Sequence, residues 1–349
     1  MENEDNRTEQ GFPLRRMRLG KKSVETRRKH EWVKPWSKKE RLLVVGVFVG
    51  TIVLSGLFAL SAREWKIPGL PPLKITSNQF ILTNIFKSKP VVVQGEAVPT
   101  KLREAQKAIT DDFKLMTKSL SGVYGIYVVD LTSGVSFGVY ENEVFEAASL
   151  IKLPVMAMMY QMAEKGELDL EKKYTLKLED KLGGSGSLYG KPVGYEITYR
   201  NLLKLMGQQS DNTAFNVGRK MLGDSSIDNF AGKLGMVKTK IGTNETTPSD
   251  VGIFFKELWD GNVLKPANKN ELLTNLTDTW YENWLPAGTP DTVRVAHKFG
   301  KEVHVVNDAG IVFTRDPYVI VILSKGAVEI QADEAIPTIS KMVYNHLTQ

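Results

Sequence analysis

One uncharged run constrains this chain more than any other segment. It covers 21 residues from Leu42 to Ala62 and has Arg41 and Arg63 at its ends. At a helical rise of about 1.5 Å per residue, a run of this length spans about 30 Å, the thickness of the hydrocarbon core of a bilayer. A buried helix of a soluble protein is the alternative. Length and flanking charge favour one transmembrane helix over residues 42–62.

The charge of the chain is concentrated before this run. Residues 1–41 hold 13 Lys/Arg and 7 Asp/Glu, and the remaining residues hold 33 of each, so the net charge of +6 comes from the first 41 residues. A basic tail that adjoins an apolar span indicates a lipid bilayer, not nucleic acid, as the partner. The positive-inside rule then predicts a single-pass membrane protein with a cytoplasmic N terminus. A signal peptide cleaved near Ala59-Leu60-Ser61 is the open alternative.

Composition divides the chain into four parts. Residues 1–41 are polar and predict a disordered cytoplasmic tail, followed by the span at 42–62. Residues 63–98 contain four prolines and predict a linker. Residues 99–349 are long enough for one extracytoplasmic domain.

Hydrophobic periodicity predicts an α+β domain, an α/β three-layer sandwich. Apolar residues recur at helical spacing from Leu102 to Leu120 and again from Ala332 to Leu347, which predicts a helix at each end. Residues 170–285 mix helical patterns and loops and predict an inserted all-helical lobe. Five strand-like runs predict a five-stranded, mostly antiparallel sheet flanked by helices. These runs are 124–131, 135–140, 292–298, 304–313 and 318–324.

Ser149 and Lys152 are the first pair of residues that indicates chemistry. A serine hydroxyl is a poor nucleophile until a base takes its proton, and a lysine three residues later on a helix can reach it. The lysine acts as a base only if its surroundings keep it partly neutral. Taken alone, Ser149 is equally consistent with an ordinary helix N terminus.

Two further motifs follow in order, and together the three resemble a known family. Ser149-Leu150-Ile151-Lys152, Ser210-Asp211-Asn212 and Lys298-Phe299-Gly300 are similar to the Ser-x-x-Lys, Ser-Asp-Asn and Lys-Thr-Gly motifs of class A β-lactamases and penicillin-binding proteins. The flanking residues Phe145 to Ala148 and Asn307 to Val312 also resemble class A enzymes. The resemblance covers about residues 99–349. It implies the fold of that family, with the active site between the sheet and the helical lobe, and a location in the bacterial cell membrane.

The resemblance implies a role for each motif residue. Ser149 would be the nucleophile, Lys152 its base, Ser210 a proton relay and Asn212 a ligand of the substrate amide. Lys298 would attract the substrate carboxylate and favour the neutral form of Lys152. The remaining positions implied for substrate binding are Phe299, Gly300 and Lys301, with the backbone N–H groups of Ser149 and Lys301 as an oxyanion hole.

Two departures from the family pattern qualify this expectation. Phe299 replaces a hydroxyl-bearing residue that helps to hold the substrate carboxylate in the family. The Glu-x-x-x-Asn element of the Ω loop, whose glutamate activates the deacylating water, is missing, and the shorter segment 236–245 takes its place. Glu245 is the only acidic residue there and is a possible deacylation base. Its simpler interpretation is a loop carboxylate before a helix.

The remaining composition excludes several chemistries. With no cysteine, the chain has no disulfide, thiolate metal site or cysteine nucleophile. Its 4 histidines lack ligand spacing, so no metal is expected, and His297 is expected to be structural. The glycines from Gly183 to Gly186 indicate a tight bend and not a phosphate cradle. No cofactor is expected.

These observations predict a β-lactamase-like serine hydrolase that acylates Ser149 with a β-lactam or a peptidoglycan stem peptide and then hydrolyses the acyl-enzyme. A D-Ala-D-Ala peptidase or penicillin-binding protein with slow deacylation is the nearest alternative, because the Ω-loop glutamate is missing. A non-catalytic sensor of β-lactams or wall ligands is the alternative from another class, and Phe299 and the membrane anchor favour it.

Overall fold

The structure is a computed structural model that describes residues 37–39, 44–47, 49–51 and 100–348. Residues 44–47 and 49–51 are helical. In this described part, no helix is both long and apolar enough to cross a membrane. Most of the predicted span at 42–62, together with the predicted tail and linker, lies outside the described residues. The transmembrane helix therefore gains no support, and the domain layout and membrane location stay predictions.

A five-stranded sheet forms the centre of the C-terminal unit, and all its neighbouring strands are antiparallel, in the order β2-β1-β9-β8-β7. This confirms the five-stranded antiparallel sheet predicted from the strand-like runs. Most strand ends differ from the predicted ones by one to four residues. The strands are β1 (Val123–Asp130), β2 (Ser136–Val139), β7 (Val295–Glu302), β8 (Val305–Val312) and β9 (Tyr318–Lys325), with four short strands between β2 and β7: β3 (Phe145–Glu146), β4 (Lys173–Thr175), β5 (Glu196–Thr198) and β6 (Glu245–Thr246).

Eight helices of the described residues 100–348 surround this sheet. The two terminal helices pack against each other on one face, as predicted, and the others build the lobe and cover the opposite face. The helices are α1 (Thr100–Thr117), α2 (Lys152–Glu164), α3 (Tyr199–Gln208), α4 (Asn212–Leu222), α5 (Asp224–Lys233), α6 (Pro248–Asp260), α7 (Pro266–Asn275) and α8 (Glu329–Thr348).

Strand alternation divides the apolar side chains between two cores. On β9, Val319, Val321 and Leu323 enter the core shared with the lobe, whereas Ile320 and Ile322 enter the core beneath α1 and α8. Successive side chains of a strand point to opposite faces, so a central strand covered on both faces is apolar throughout. The edge strand β7 follows the same alternation, and this decides which of its motif residues reach the lobe.

The helix predicted to carry Ser149 begins later than expected. Residues Ala148–Ile151 form a 3₁₀ turn, and the α-helix starts at Lys152. Ala148 has a left-handed φ of 48°, which a helix interior does not accommodate. Ser149 therefore lies in a tight turn at the entrance of α2, and Lys152 lies in its first α-helical position.

Candidate active site

The turn that carries Ser149 is fastened from two sides. The side-chain amide of Asn307, on β8, donates to the carbonyl of Glu146 at 2.8 Å and to that of Ala147 at 3.3 Å. The backbone N–H of Ala147 donates to the carbonyl of Asn244 at 2.7 Å. These bonds hold the backbone just before Ser149 and stabilise the left-handed residue at 148, a type of strain that is common at functional sites.

Lys152 lies at the centre of the predicted site. Its Nζ is 2.7 Å from Ser149 Oγ, 2.9 Å from Ser210 Oγ, 2.8 Å from the Ser210 carbonyl oxygen and 2.7 Å from Asn212 Oδ1. The last two oxygens can only accept hydrogen bonds. A neutral amine that donates its two N–H bonds to them keeps its one lone pair free to accept from either of the two serine hydroxyls.

Burial adjusts the protonation of this amine. The Lys152 side chain is only 2% exposed, and burial lowers its pKa to about 7, against the opposing attraction of the Asp211 and Glu302 carboxylates. A substantial fraction of the amine is therefore neutral near neutral pH. An ordinary lysine has a pKa above 10 and could not accept a proton from a hydroxyl at that pH.

A loop of residues 182–188 holds the second motif in place. Asp211 is the N-cap of α4: its Oδ1 accepts from the N–H of Ala214, and its Oδ2 accepts from the N–H of Leu188, both at 2.8 Å. The backbone N–H of Asn212 donates to the Ser185 carbonyl at 3.1 Å. Ser210 has a left-handed φ of 53° and is 1% exposed. The predicted glycine bend is thus the support of the second motif.

The third motif on β7 lies directly against the nucleophile turn. An ideal Cβ at Gly300 would lie 2.9 Å from the backbone nitrogen of Ser149 and 3.0 Å from Cβ of Ala148. Only glycine allows this approach, because such contacts are shorter than van der Waals distances. The backbone of β7 and that of Ser149 therefore face each other at the position implied for the oxyanion hole.

The first two residues of this motif, Lys298 and Phe299, are both buried and contact each other. Lys298 is 0% exposed; its Nζ donates to the Phe299 carbonyl at 2.7 Å and lies 3.9 Å from the centre of the Phe299 ring. Burial, and then repulsion from Lys152, hold the pKa of Lys298 well below its ordinary range, while Asp308 opposes them. The ring of Phe299 packs on Tyr281 and Trp284.

His297 has a structural environment, consistent with its expected role. Its Nδ1 lies 2.8 Å and 2.9 Å from the carboxylate oxygens of Asp308, and its Nε2 lies 3.1 Å from Thr279 Oγ1 and 3.3 Å from Glu282 Oε1. Burial disfavours the imidazolium, but Asp308 and then Glu282 outweigh it and raise the pKa of His297 to about 9. The buried ion pair with Asp308 joins β7 to β8, and the contacts of Nε2 attach the segment before β7 to this strand.

Glu245 is exposed on β6, and its Oε2 accepts from Thr243 Oγ1 at 2.8 Å. Its strand partner is Glu146. Its neighbour Asn244 makes the direct contact with the nucleophile turn, through its carbonyl. Among the residues that the structure describes, the Oδ1 of Asn244 is one of three buried side-chain nitrogen or oxygen atoms without a hydrogen-bond partner.

The predicted residues fall into two groups. Ser149, Lys152, Ser210 and Asn212 converge within direct hydrogen-bonding distance. Lys298 and Gly300 adjoin them from β7. The other predicted residues lie apart: Phe299 packs in the core beneath α1 and α8, Lys301 bonds to acidic residues of α8, and Glu245 is exposed and bonded to Thr243.

Three supporting residues were not assigned as site residues from the sequence. Asp211 and Asn307 were noted only as letters of matching motifs, and Asn244 only as part of the short segment. A buried Asp at a helix N-cap is a recognisable local signal, whereas the long-range bond from Asn307 to Glu146 has none.

Comparison with known proteins agrees with this geometry. Residues 104–347 match the model of the family described as the beta-lactamase enzyme family. A beta-lactamase of Streptomyces lavendulae is 27% identical over 225 residues, 57% of this chain and 73% of that protein. Beta-lactamase L2 of Stenotrophomonas maltophilia is 25% identical over 222 residues, 59% of this chain and 73% of that protein. The solved structure of PBP-A superimposes with a TM-score of 0.66 at 27% identity and covers 71% of this chain and 97% of its own.

The fold and the converging Ser-Lys-Ser group define a serine hydrolase of the class A β-lactamase type. The chain belongs to the beta-lactamase enzyme family. A variant of PBP-A, which has the same TM-score and sequence identity to this chain, was solved as an acyl-enzyme complex with penicillin G.

Proposed function

We propose that this domain is a serine hydrolase that forms an ester between Ser149 and the carbonyl of a β-lactam or peptidoglycan peptide amide, and then hydrolyses that ester. The observation that carries the proposal is the 2.7 Å contact between Lys152 Nζ and Ser149 Oγ, made by an amine whose pKa burial lowers to about 7. A buried, partly neutral lysine next to a serine hydroxyl is the arrangement that activates such a nucleophile.

Acylation would proceed in two steps. Ser149 Oγ attacks the carbonyl carbon and its proton passes to Lys152 Nζ. The carbonyl oxygen becomes an oxyanion that accepts hydrogen bonds from the backbone N–H groups of Ser149 and Lys301. The carbon–nitrogen bond then breaks, and the proton returns from Lys152 through the Ser210 hydroxyl to the leaving nitrogen. Asn212 donates to the amide of the acyl side chain.

Deacylation requires water and a base, and here the structure favours a slow step. Glu245 is exposed and hydrogen-bonded to Thr243, and the described segment 236–245 brings the Asn244 carbonyl, not a carboxylate, to the nucleophile turn. A carbonyl cannot take a proton from water. This supports the second candidate: a penicillin-binding peptidase, or a sensor, whose acyl-enzyme persists.

Intact mass spectrometry of the full-length protein in mild detergent tests the proposal. Benzylpenicillin should add its full mass to the wild type but not to Ser149→Ala, and only slowly to Lys152→Ala. An adduct that disappears while antibiotic is consumed supports the β-lactamase, and an adduct that persists supports the peptidase or sensor. The same adduct on Ser149→Ala would refute Ser149 as the nucleophile.

A further inference from the structure

Strand β7 carries three cationic side chains, and each of them is already engaged. His297 is bonded to Asp308 and Glu282. Lys301 pairs with Glu329 at 3.3 Å and with Asp333 at 3.2 Å. Lys298 Nζ donates to the Phe299 carbonyl, with its side chain completely buried. Among the cations of residues 295–302, only Lys298 has no acidic partner, and a substrate carboxylate that approached this strand would find its amine buried and bonded to a backbone carbonyl.

Phe299 makes this part of the strand apolar. It is 3% exposed, and its ring lies 4.6 Å from that of Tyr281 and 6.3 Å from that of Trp284, measured between centroids. The ring also covers the amine of Lys298 at 3.9 Å. An aromatic ring in this position supplies no hydrogen bond to an anion and helps to shield the Lys298 amine from solvent.

A negative charge at the end of β7 also acts on Lys152. The exposed carboxylate of Glu302 lies close enough to Lys152 to oppose the lowering of its pKa. A second carboxylate, brought by a substrate, would be repelled by Glu302 and would raise the pKa of Lys152 further, which would reduce the fraction of neutral base. Charge, packing and hydrogen bonding at this end of the site all disfavour an anionic group.

We propose that the site selects substrates with an uncharged group on the leaving-group side of the scissile amide, that is, internal or amidated peptide bonds and not peptides that end in a free carboxylate. Phe299 is the specificity-determining residue, because it carries no hydroxyl and its ring lies 3.9 Å from the Lys298 amine. This inference rests on the proposed acylation of Ser149. It implies that antibiotics with a free carboxylate acylate the protein less readily than their neutral esters.

Benzylpenicillin and its methyl ester test the inference, because they differ only in the carboxylate. The second-order rate constant for acylation of the full-length protein is measured by intact mass at pH 8. Each rate constant is divided by the rate constant for opening of the same β-lactam ring by hydroxide, which corrects for intrinsic reactivity. The ester should react at least as fast as the acid. A preference for the acid of about tenfold or more, as expected for a charged hydrogen bond, would overturn the inference.

Two substitutions at one position provide a matched control. Phe299→Thr and Phe299→Val remove the same packing and have nearly the same shape, so they differ by the hydroxyl alone. The acid-to-ester rate ratio should be about tenfold higher in Phe299→Thr than in Phe299→Val. Equal ratios in the two variants would show that residue 299 does not determine this selectivity.

A failure of acylation is separable from a failure of the inference. If neither compound modifies Ser149, the proposed function is wrong, and binding to Ser149→Ala by calorimetry then decides the selectivity. Binding of the acid no tighter than that of the ester agrees with the inference. Acid binding that is tighter by about tenfold or more contradicts it.

Discussion

Gly300 and Ser149 touch through their backbones: a Cβ on Gly300 would lie 2.9 Å from the Ser149 nitrogen. This contact joins β7 to the nucleophile turn, and it gives β7 its place in the site independently of any side chain. The shape of the oxyanion hole implied by the family depends on it.

Gly300→Ala should abolish acylation, because the added methyl group displaces the Ser149 N–H and the turn that carries it. Gly232→Ala is the control, since a Cβ there meets nothing within 4 Å and lies in helix α5. The control should retain full activity and gain up to about 1 kcal/mol in the free energy of unfolding. Acylation rates and urea unfolding measure both effects. Normal acylation by a folded Gly300→Ala variant would contradict the close contact.

The acylation rate should rise with pH through about 7, the pKa to which burial lowers Lys152. Below that pH the amine is protonated and cannot accept the Ser149 proton; above it the amine is neutral. Rates with a neutral β-lactam ester between pH 5 and 9 should show this single acidic limb. A rate that does not change between pH 6 and pH 8 would exclude Lys152 as the base.

Gly186→Ala should damage the second motif. Gly186 has a φ of 90°, and an added Cβ would overlap the Asp211 side chain at 2.1 Å. Gly194→Ala is a matched control with a φ of 87° and nothing within 4 Å. Both variants should lose about 1 kcal/mol from backbone strain, but only Gly186→Ala should also lose acylation. Equal activity in the two variants would argue against a supporting role of the loop.

His297 should stabilise the fold below pH 9. Burial opposes its charge, but Asp308 and Glu282 raise the pKa from 6.5 to about 9, so the folded state binds the proton more tightly than the unfolded state. The contribution is complete below about pH 6.5, is lost as the pH rises through 9, and is on the order of 3 kcal/mol.

Lys152 has the opposite effect on stability: its folded-state pKa is lowered to about 7, so the free energy of unfolding gains from it as the pH rises above that value. The free energy of unfolding by urea is therefore compared between wild type and His297→Asn at each pH from 6 to 10. The difference between the two proteins should shrink as the pH rises. A constant difference would mean that His297 is not charged in the fold.

Glu245→Gln should leave the lifetime of the acyl-enzyme unchanged, because this carboxylate is exposed and its Oε2 accepts from Thr243. Glu146→Gln, at the paired position on β3, is the matched control. Loss of mass from a preformed benzylpenicillin adduct gives the rate. A lifetime extended about tenfold in Glu245→Gln alone would identify Glu245 as the deacylation base, as other general bases contribute at least that much.

Much of the fold followed from local patterns. The strand-like apolar runs and the helical periodicity near both ends of the domain predicted the sheet and the terminal helices, because each element has to bury one or two apolar faces. The start of the nucleophile helix was predicted too early. The left-handed Ala148 depends on bonds from Asn244 and Asn307, which lie far away in the sequence.

The sequence by itself determined which residues could carry the chemistry. Ser149, Lys152, Ser210 and Asn212 are the residue types that acyl transfer needs, in the order that a known family shares. It also showed that Phe299 and the short segment 236–245 depart from that family. The residue types and their spacing along the chain were sufficient for both conclusions.

Only the tertiary structure decided how these residues behave. The pKa of Lys152 depends on burial by elements that are distant in sequence. The contacts of the Lys298 amine with the Phe299 ring and carbonyl depend on how β7 packs in the fold. Protonation and selectivity arise from desolvation and from contacts across the fold, and neither quantity is encoded in the spacing of residues along the chain.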